Sequence, residues 1–365
     1  MTITKVTDGG LDRSRIVTPL IINGDMSVAQ RSTSATNISS SGYHAIDRFR
    51  FGFTDTDQLV ATISQDTDVP TGQGFGNSMK FLVTTVESAL DADDALQIQY
   101  RIEGQNCQNL KYGTSSAESL TLSFWVKSSV TGTYALTFKN SESGGTKLNV
   151  NTYAISSANT WEKKIISITG DTSSDIDNTN TNELELLWGL SAGSNYKGTS
   201  SSGWESYDAA KLFNGQTADI ATTSSANFYL TGVQLEVGEF DSNTMPSFPF
   251  ESFENNLKKC MRYYFNHYTP DDNGLYGLFT AHTSSAGRMP YRFIVPMRDA
   301  PTVSSSTASG FTWLGNNTSG NPSAIGSESL NKYSCTVNIT GSFTQGYSYW
   351  LSGSTSTQLN FDAEL

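Results

Sequence analysis

The stretch Leu120–Ser128 reads LTLSFWVKS and indicates the fold class of the chain. The apolar residues that recur at every second position, and so share one face of an extended chain, are Leu120, Leu122, Phe124 and Val126. Ser123, Trp125 and Lys127 fall on the other face. This period of two is typical of a half-buried strand in an antiparallel sheet.

Similar segments extend along the chain, separated by clusters of Gly, Ser, Asn and Asp that are typical of turns. Before residue 240 we predict strands over residues 20–22, 45–53, 59–65, 79–86, 96–102, 119–128, 132–140, 161–168, 183–190 and 227–237. This many strands without an intervening helix predict a β-sandwich or jelly roll.

One helical pattern interrupts the strands. Its apolar stripe, spaced at the helical period, consists of Phe253, Leu257, Cys260, Met261 and Tyr264. With Ser252 as the N-cap, this stripe predicts an amphipathic helix over residues 251–264. Further strands are predicted over residues 274–282, 291–295, 310–313, 332–340, 347–351 and near 358–365, with Pro290 at a strand boundary.

The predicted fold is therefore all-β, a jelly-roll β-sandwich plus a smaller C-terminal β-sandwich joined by a short helix. We divide the chain into an N-terminal arm (1–20), the jelly roll (21–250), a linker helix (251–265) and a C-terminal β domain (266–365).

The composition excludes several classes of protein. Only 16% of the residues are charged, and the 365 residues include 50 Ser and 43 Thr, which is not the composition of a helical bundle. The net charge of -12 argues against nucleic acid as a partner, since that binding depends on Lys and Arg. We find no apolar run that predicts membrane insertion and no secretory signal peptide. Three cysteines without metal-site spacing predict free thiols.

The order of sequence landmarks resembles a jelly-roll domain common in bacteriophage tail fibres and related virion proteins. The landmarks are LIINGDMSVAQRSTS (20–34), YHAIDRFRF (43–51), LTLSFWVKSSVTGTYALTF (120–138), WEKKIISITGDT (161–172), FYLTGVQLEVG (228–238) and PSFPFESFENNLKKCMRYY (246–264). The resemblance implies a short tail fibre, assembled in the host cytoplasm and carried on the virion tail. It would attach to tail proteins through residues 1–20 and bind a host surface polysaccharide. Such fibres are usually homotrimers, with a C-terminal domain that is receptor-facing or trimerising.

The same jelly roll resembles carbohydrate-binding modules that often hold a structural calcium between their first and last strands. The ligands that this resemblance implies are Asp25 and Glu236. Where those modules usually carry an Asp in the last strand, this chain has Thr231 or Gly232, which removes one of the carboxylates that calcium prefers. Apart from a possible structural calcium, we predict no cofactor.

Carbohydrate sites combine aromatic rings with fixed polar groups. The candidate binding residues are Tyr196, Trp204 and Tyr207 in the loop 193–208, and Trp313, Tyr347 and Tyr349 in the C-terminal domain. The alternative for Trp204 is a core position at the end of the sandwich, and half of the C-terminal aromatic residues are expected in the core.

The sequence contains no recognisable catalytic constellation. His44, His267 and His282 are far apart and lack metalloenzyme spacing. We therefore predict binding without turnover and no catalytic residues. Two alternatives stay open, a polysaccharide depolymerase and a head-decorating or adaptor virion protein. A secreted glycan-binding module is disfavoured because no signal peptide is recognised.

Overall fold

The computed structural model describes residues 19–141, 145–199, 203–268 and 274–365, so most of the predicted N-terminal arm lies outside the described residues. The strands of the first domain are β1 Ser34–Ile38, β2 Gly42–Tyr43, β3 Phe49–Thr54, β4 Val60–Asp66, β5 Ser78–Thr85, β6 Ala95–Glu103, β7 Leu120–Ser128, β8 Gly132–Asn140, β9 Lys147–Ile155, β10 Glu162–Ile168, β11 Asn182–Ala192, β12 Glu205–Ser206 and β13 Asn227–Val237. Helix α1, Phe253–Met261, follows. The remaining strands are β14 Tyr264–Tyr268, β15 Gly274–Ala281, β16 Ala286–Arg292, β17 Thr302–Ser305, β18 Phe311–Gly315, β19 Thr318–Gly320, β20 Ala324–Glu328, β21 Ser334–Thr340, β22 Ser348–Gly353 and β23 Gln358–Asp362.

The first domain is a sandwich of two antiparallel sheets. One sheet has the strand order β1-β4-β5-β13-β7-β10, and the other has the order β12-β9-β8-β11-β6-β3-β2. Some neighbouring strands are distant in sequence, and β13, for example, lies between β5 and β7. The crossover connections that this order requires are typical of a jelly roll. The predicted all-β class and jelly-roll architecture are confirmed. Within the ranges given above, no helix has the length and apolar character needed to cross a membrane.

Strand β7 lies inside the first sheet, between β13 and β10. Its inner residues are fully buried, and Phe124 packs edge-to-face on Trp188 of the opposite sheet with ring centroids 6.0 Å apart. The other face is also covered at Thr121, whose hydroxyl donates to the Gly238 carbonyl and accepts the Phe240 N–H. The expectation of a half-buried strand is therefore wrong at this end, because the chain after β13 crosses back over β7.

The predicted strand over residues 20–22 is not formed. The chain turns there, and Asn23 and Met26 both have positive φ values, 63° and 59°. The Asn23 side chain closes the turn, since its Nδ2 donates to the Val28 carbonyl and its Oδ1 accepts the Val28 N–H, both at 2.9 Å. Asparagine tolerates this backbone conformation and forms such turns readily.

Strand β9 is missing from the sequence prediction. Its residues Asn149 and Asn151 pair with Phe138 and Leu136 on the inner face of the sheet. Asn149 is only 3% exposed. A polar residue at an inward position interrupts the apolar alternation from which strands are predicted, although the backbone pairing is regular.

Helix α1 begins after Ser252, whose side chain accepts an N–H of the first turn as predicted, but it ends at Met261 rather than at residue 264. Tyr264 falls on the apolar stripe, yet it begins β14 and pairs with β23 instead. Cys260 is fully buried, while Phe253 at the start of the helix is 56% exposed. All three cysteines of the sequence are described, and each is a buried free thiol.

The C-terminal domain is a second sandwich, as predicted. Its sheets have the orders β14-β23-β17 and β19-β18-β22-β15-β16-β21-β20. The described part of this domain has more strands than predicted because short strands such as β17 and β19 carry little alternation. The predicted strand over 291–295 is displaced, since β16 ends at Arg292 and contains Pro290. Pro290 lies beyond the two residue pairs that join β16 to β15, where the strand has one neighbour only.

The two domains meet at a buried ion pair. Arg48, immediately before β3, is 1% exposed and pairs with Glu364 after β23. The Arg48 guanidinium also lies 3.5 Å from the centroid of the Tyr263 ring and donates to the Arg101 carbonyl at 2.7 Å. Glu364 has a second cation, because Arg31 lies 3.5 Å from its other carboxylate oxygen.

A second buried carboxylate joins the jelly roll to the linker between the two domains. Glu103 of β6 accepts Arg262 Nε at 2.8 Å, Arg262 Nη2 at 2.7 Å and the Tyr263 hydroxyl at 2.5 Å. A buried charge is costly unless it is paired and hydrogen-bonded. The ion pairs therefore keep these charges compensated in the docked arrangement, where water is excluded from Arg48, Glu364 and Glu103.

Replacing Arg48 tests this junction. We expect Arg48→Met to lower the free energy of unfolding by about 3 kcal/mol, because Glu364 is left buried with Arg31 alone. The double variant Arg48→Met/Glu364→Gln, which removes both charges, should recover most of this loss in urea unfolding. Equal stability of the single and double variants would contradict the role of the pair.

Asp47 adds a pH dependence to the same region. It is fully buried, and burial raises the pKa of its carboxyl group to about 6 from an ordinary value of 3.8. Because the folded chain keeps this proton up to about pH 6 and the unfolded chain does not, Asp47 destabilises the fold progressively as the pH rises from about 4 to 6. The variant Asp47→Asn lacks this titration and serves as the reference. Between about pH 4 and pH 6 we expect the free energy of unfolding of the wild type to fall by roughly 2–3 kcal/mol more than that of Asp47→Asn. Urea titrations across this window would show a constant difference if Asp47 did not titrate.

Candidate functional site

The outer face of the seven-stranded jelly-roll sheet carries a set of polar side chains that point away from the core. On β6 these residues alternate with buried apolar ones such as Ile98 and Tyr100. We call this set the polar face, and its members are Arg50, Gln97, Gln99, Arg101, Lys139 and Glu185. They come from the four neighbouring strands β3, β6, β11 and β8, so the polar face runs across the sheet.

Hydrogen bonds between neighbouring strands fix the orientation of these side chains. Gln99 Oε1 accepts Arg50 Nη1 at 2.5 Å and Arg101 Nη2 at 3.4 Å. Glu185 lies between two cations, accepting Arg101 Nε at 2.9 Å on one oxygen and Lys139 Nζ at 3.4 Å on the other. The planar groups are therefore held in place before any ligand arrives, which lowers the entropic cost of binding.

Gly52 makes room for the amides on this face. A Cβ at Gly52 would lie 2.8 Å from Gln97 Nε2 and 3.2 Å from Gln99 Nε2, so a larger residue would displace both amides. Gln97 Oε1 has no hydrogen-bond partner within the described residues. An amide without a partner on a sheet face can hydrogen-bond a ligand after a small rotation, because each amide offers both donors and an acceptor.

The polar face carries more positive than negative charge. Three of its members are cations, whereas Glu185 is its single carboxylate. Burial and the neighbouring Arg101 charge lower the pKa of the Arg50 guanidinium. Tyr207 stands at the edge, 42% exposed, with Lys139 Nζ 5.4 Å from its ring centroid. Burial, and then the Glu185 charge, raise the pKa of the Tyr207 hydroxyl, so it stays a neutral hydrogen-bonding group.

The loop after β11 covers the neighbouring part of the sheet. Phe213 and Leu212 from this loop pack on Ala135 and Leu187 of the outer face. Tyr196 belongs to the same cluster and is half-buried, with its ring centroid 6.3 Å from that of Phe213. The loop thus forms an apolar border, and the polar face is the part of the sheet beside it.

Of the three aromatic residues predicted in the loop 193–208, Tyr207 borders the polar face. Trp204 packs edge-to-face on the buried Tyr112, with ring centroids 5.7 Å apart, and its indole N–H donates to the Thr169 carbonyl at 2.8 Å. These contacts favour the alternative of a core position for Trp204. Tyr196 supports the loop through its contact with Phe213.

Two of the predicted C-terminal residues must be corrected. Trp313 and Tyr349 are 6% and 1% exposed and pack edge-to-face in the core of the domain, so neither can form a surface site. They face inward because side chains alternate along β18 and β22. Tyr347 is 49% exposed, just before β22, and Trp350 is 50% exposed on the outer face of the sheet.

Trp350 is the centre of an exposed apolar row. Its direct cross-strand neighbours are Leu278 of β15 and Leu314 of β18, which are 49% and 43% exposed. We call these three residues the Trp350 row. The sequence offers no signal for this row, because it depends on which strands become neighbours. The polar face has the same origin, since polar residues at outward positions are ordinary in any sheet.

The two residues implied as calcium ligands line one small cavity, together with Glu251 and Asn256. Asp25 Oδ1 already accepts Asn256 Nδ2 at 3.0 Å, and Glu236 Oε1 accepts the Gln234 side chain at 3.0 Å. Among the residues the structure describes, no three His, Cys, Asp or Glu side chains are grouped as a metal site. Calcium binding by Asp25 and Glu236 stays a prediction.

No protein-family model and no curated protein matches the chain. Among solved structures, the enzymatically active domain of tailspike protein 4 of bacteriophage CBA120 is 11% identical, with a TM-score of 0.30, over 60% of this chain and 21% of that one. A family 11 carbohydrate-binding module of a Clostridium thermocellum cellulase is 12% identical, with a TM-score of 0.28, over 56% of this chain and 97% of that one. The module TmCBM61, solved with β-1,4-galactotriose, is 12% identical with the same TM-score, over 60% and 98% of the two chains. Scores this low do not bear on function.

Proposed function

We propose that the protein binds a carbohydrate on the polar face of its jelly roll. The observation that carries this proposal is the row of planar side chains, pre-oriented by their own hydrogen bonds and bordered by the exposed ring of Tyr207. Sugar hydroxyls need both donors and acceptors, which guanidinium, amide and carboxylate groups provide. The C–H face of a sugar ring packs on an aromatic side chain such as Tyr207.

We propose further that binding occurs without turnover. Glycoside hydrolysis ordinarily uses two carboxyl groups about 5–9 Å apart, one of which donates a proton. Glu185 is the one carboxylate among the six members of the polar face, and both of its oxygens are engaged by cations. Glu103, two residues beyond Arg101 on β6, is held by Arg262 and Tyr263. This arrangement supports recognition rather than acid–base chemistry.

The biological setting that we propose is a bacteriophage tail fibre. Its support is the ordered series of sequence landmarks from residue 20 to residue 264. In this proposal residues 1–20 attach to tail proteins, the jelly roll binds a host surface polysaccharide, and the C-terminal domain holds three subunits together. The apolar stripe of α1 gives little support for trimerisation, because Cys260 and Tyr264 are already buried within the chain. The Trp350 row supports it better, since an exposed apolar surface favours association.

Binding to the polar face is tested with arrayed bacterial lipopolysaccharide and capsular oligosaccharides. For a glycan that binds, we expect Arg50→Met and Tyr207→Ala each to weaken affinity at least tenfold, or about 1.4 kcal/mol, in calorimetry. The matched controls are Arg288→Met and Tyr333→Ala, two exposed residues of the C-terminal domain that should leave affinity unchanged.

Absence of binding to any glycan, or equal losses in the controls, would contradict the proposed site. Incubating the protein with the polysaccharides that it binds tests turnover. Release of oligosaccharides from an intact polysaccharide would overturn the proposal of binding alone and favour a depolymerase.

The trimer is tested by light scattering. We expect a mass about three times the 39.6 kDa of the chain. The variant Trp350→Asp should lower it towards that of a single chain, because a charge replaces the centre of the Trp350 row. Tyr333→Asp is the control with similar exposure. A monomeric wild type would contradict the trimer, and a trimeric Trp350→Asp variant would contradict this interface.

A further inference from the structure

A cavity of about 460 Å³ lies where helix α1 meets the first strand of the C-terminal domain. We call it the junction cavity and define it by Arg31, Phe253, Leu257, Met261, Asn266 and Tyr268, which line it. Its volume is within the range of small-molecule sites, about 300–1,000 Å³. It is formed by residues of α1, β14, the segment before β1 and Gln358 of β23, and it contains none of the residues of the polar face.

Two exposed aromatic rings line the junction cavity. Phe253 is 56% exposed and Tyr268 is 57% exposed, and they come from the start of α1 and the end of β14. Leu257 and Met261 continue the apolar lining along the helix. Exposed aromatic and aliphatic side chains around a concave space provide a surface for an apolar ligand face.

The polar lining has an acceptor without a partner. Asn266 Oδ1 is buried and finds no hydrogen-bond partner within the described residues. Its amide orientation is fixed by the Nδ2 group, which donates to the Gln30 carbonyl at 2.9 Å. A buried acceptor left unpaired costs about 1–3 kcal/mol, which a ligand hydroxyl donating to Oδ1 would recover.

Arg31 is also pre-oriented at this cavity. Its guanidinium lies 3.6 Å from the centroid of the Tyr264 ring and pairs with Asp362 at 3.0 Å. Because Arg31 is paired with Asp362 and Glu364, it adds no free net charge to the cavity. The lining therefore combines apolar rings, neutral amides and a compensated cation, which suits an uncharged polyhydroxylated ligand.

We propose that the junction cavity is a second carbohydrate site, which takes one or two neutral sugar rings against Tyr268 and Phe253 with a hydroxyl group donating to Asn266 Oδ1. This inference extends the proposed function to a separate site and does not depend on the polar face. Because residues from both sides of the domain junction line the cavity, a sugar bound there would contact both domains.

The experiment uses the full chain and a panel of methyl glycosides of glucose, galactose, mannose, N-acetylglucosamine and rhamnose. Saturation-transfer NMR detects the glycosides that bind, and calorimetry measures their affinity. We expect at least one glycoside to bind, with Tyr268→Ala and Phe253→Ala each weakening it at least tenfold. Tyr333→Ala is the matched control, and thermal unfolding establishes that each variant is folded.

Two further variants test the acceptor. Asn266→Asp keeps an oxygen at the site but loses the donor to Gln30, whereas Asn266→Leu removes both. We expect Asn266→Leu to abolish binding and Asn266→Asp to retain part of it. If both variants bind as well as the wild type, the assigned hydrogen bond and, with it, the site are overturned.

The result separates this site from the polar face. If glycoside binding is lost in Arg50→Met and Tyr207→Ala but kept in Tyr268→Ala, the junction site is overturned and the proposed function stands. If binding is lost in Tyr268→Ala and Phe253→Ala but kept in Arg50→Met and Tyr207→Ala, the junction site is supported even if the polar face binds nothing. If no glycoside binds at millimolar concentration, or Phe253→Ala changes the oligomeric state, the cavity is not a carbohydrate site.

Discussion

The arrangement of the whole chain depends on one buried ion pair, Arg48 with Glu364. The two residues are separated by almost the full described length, and both side chains are nearly inaccessible. Neither charge is stable in an apolar interior alone, because burying an unpaired ion costs several kcal/mol. The jelly roll therefore cannot keep Arg48 buried unless the end of the chain returns to it. Arg48 also has a left-handed backbone conformation, with φ at 73°.

The return of the chain end shapes both proposed binding sites. Arg101 of the polar face donates to the Leu365 main-chain oxygen at 2.5 Å while it also holds Glu185. On the other side of the junction, Arg31 is shared between Glu364 and Asp362 and lines the junction cavity. One network of charges thus orders side chains on two separate surfaces. We therefore expect that removing the ion pair changes the side-chain positions of Arg101 on the polar face and of Arg31 at the junction cavity.

The sequence predicts those parts of the fold whose cause is local. Strands β7 and β8 are predicted almost to the residue because apolar residues recur at every second position along them. Strand β13 is predicted equally well, although its register shifts between Thr231 and Gln234. Strand β9 is missed because asparagines occupy inward positions. Residues 20–22 are wrongly predicted as a strand because they are all apolar, although they lead into a turn that the Asn23 side chain closes. Helix α1 is predicted with its N-cap, but its end is decided by pairing between β14 and β23, which is a long-range event.

The candidate sites are harder to predict for a related physical reason. Aromatic content marks Trp313 and Tyr349 as candidates, yet a small sandwich needs large residues in its core and buries both of them. Tyr349 and Trp350 are adjacent in β22 and point to opposite faces of the sheet, and only the packing of the second sheet decides which face is buried. The polar face is still less visible, because Arg50, Gln99 and Glu185 become neighbours only through sheet pairing.

The charge distribution supports recognition that depends on hydrogen bonds more than on long-range attraction. The chain has 35 acidic and 23 basic residues, so its overall field repels polyanions. Among the six side chains of the polar face, however, Arg50, Arg101 and Lys139 surround Glu185, so their net charge is positive. Exposed charges more than a Debye length apart, about 8 Å at physiological salt, are largely screened from each other. A ligand would therefore meet the acidic surface weakly at a distance and the fixed donors strongly on contact. That combination favours a neutral or mildly acidic sugar polymer over a densely charged one, because a dense polyanion would also contact the acidic surroundings of the site.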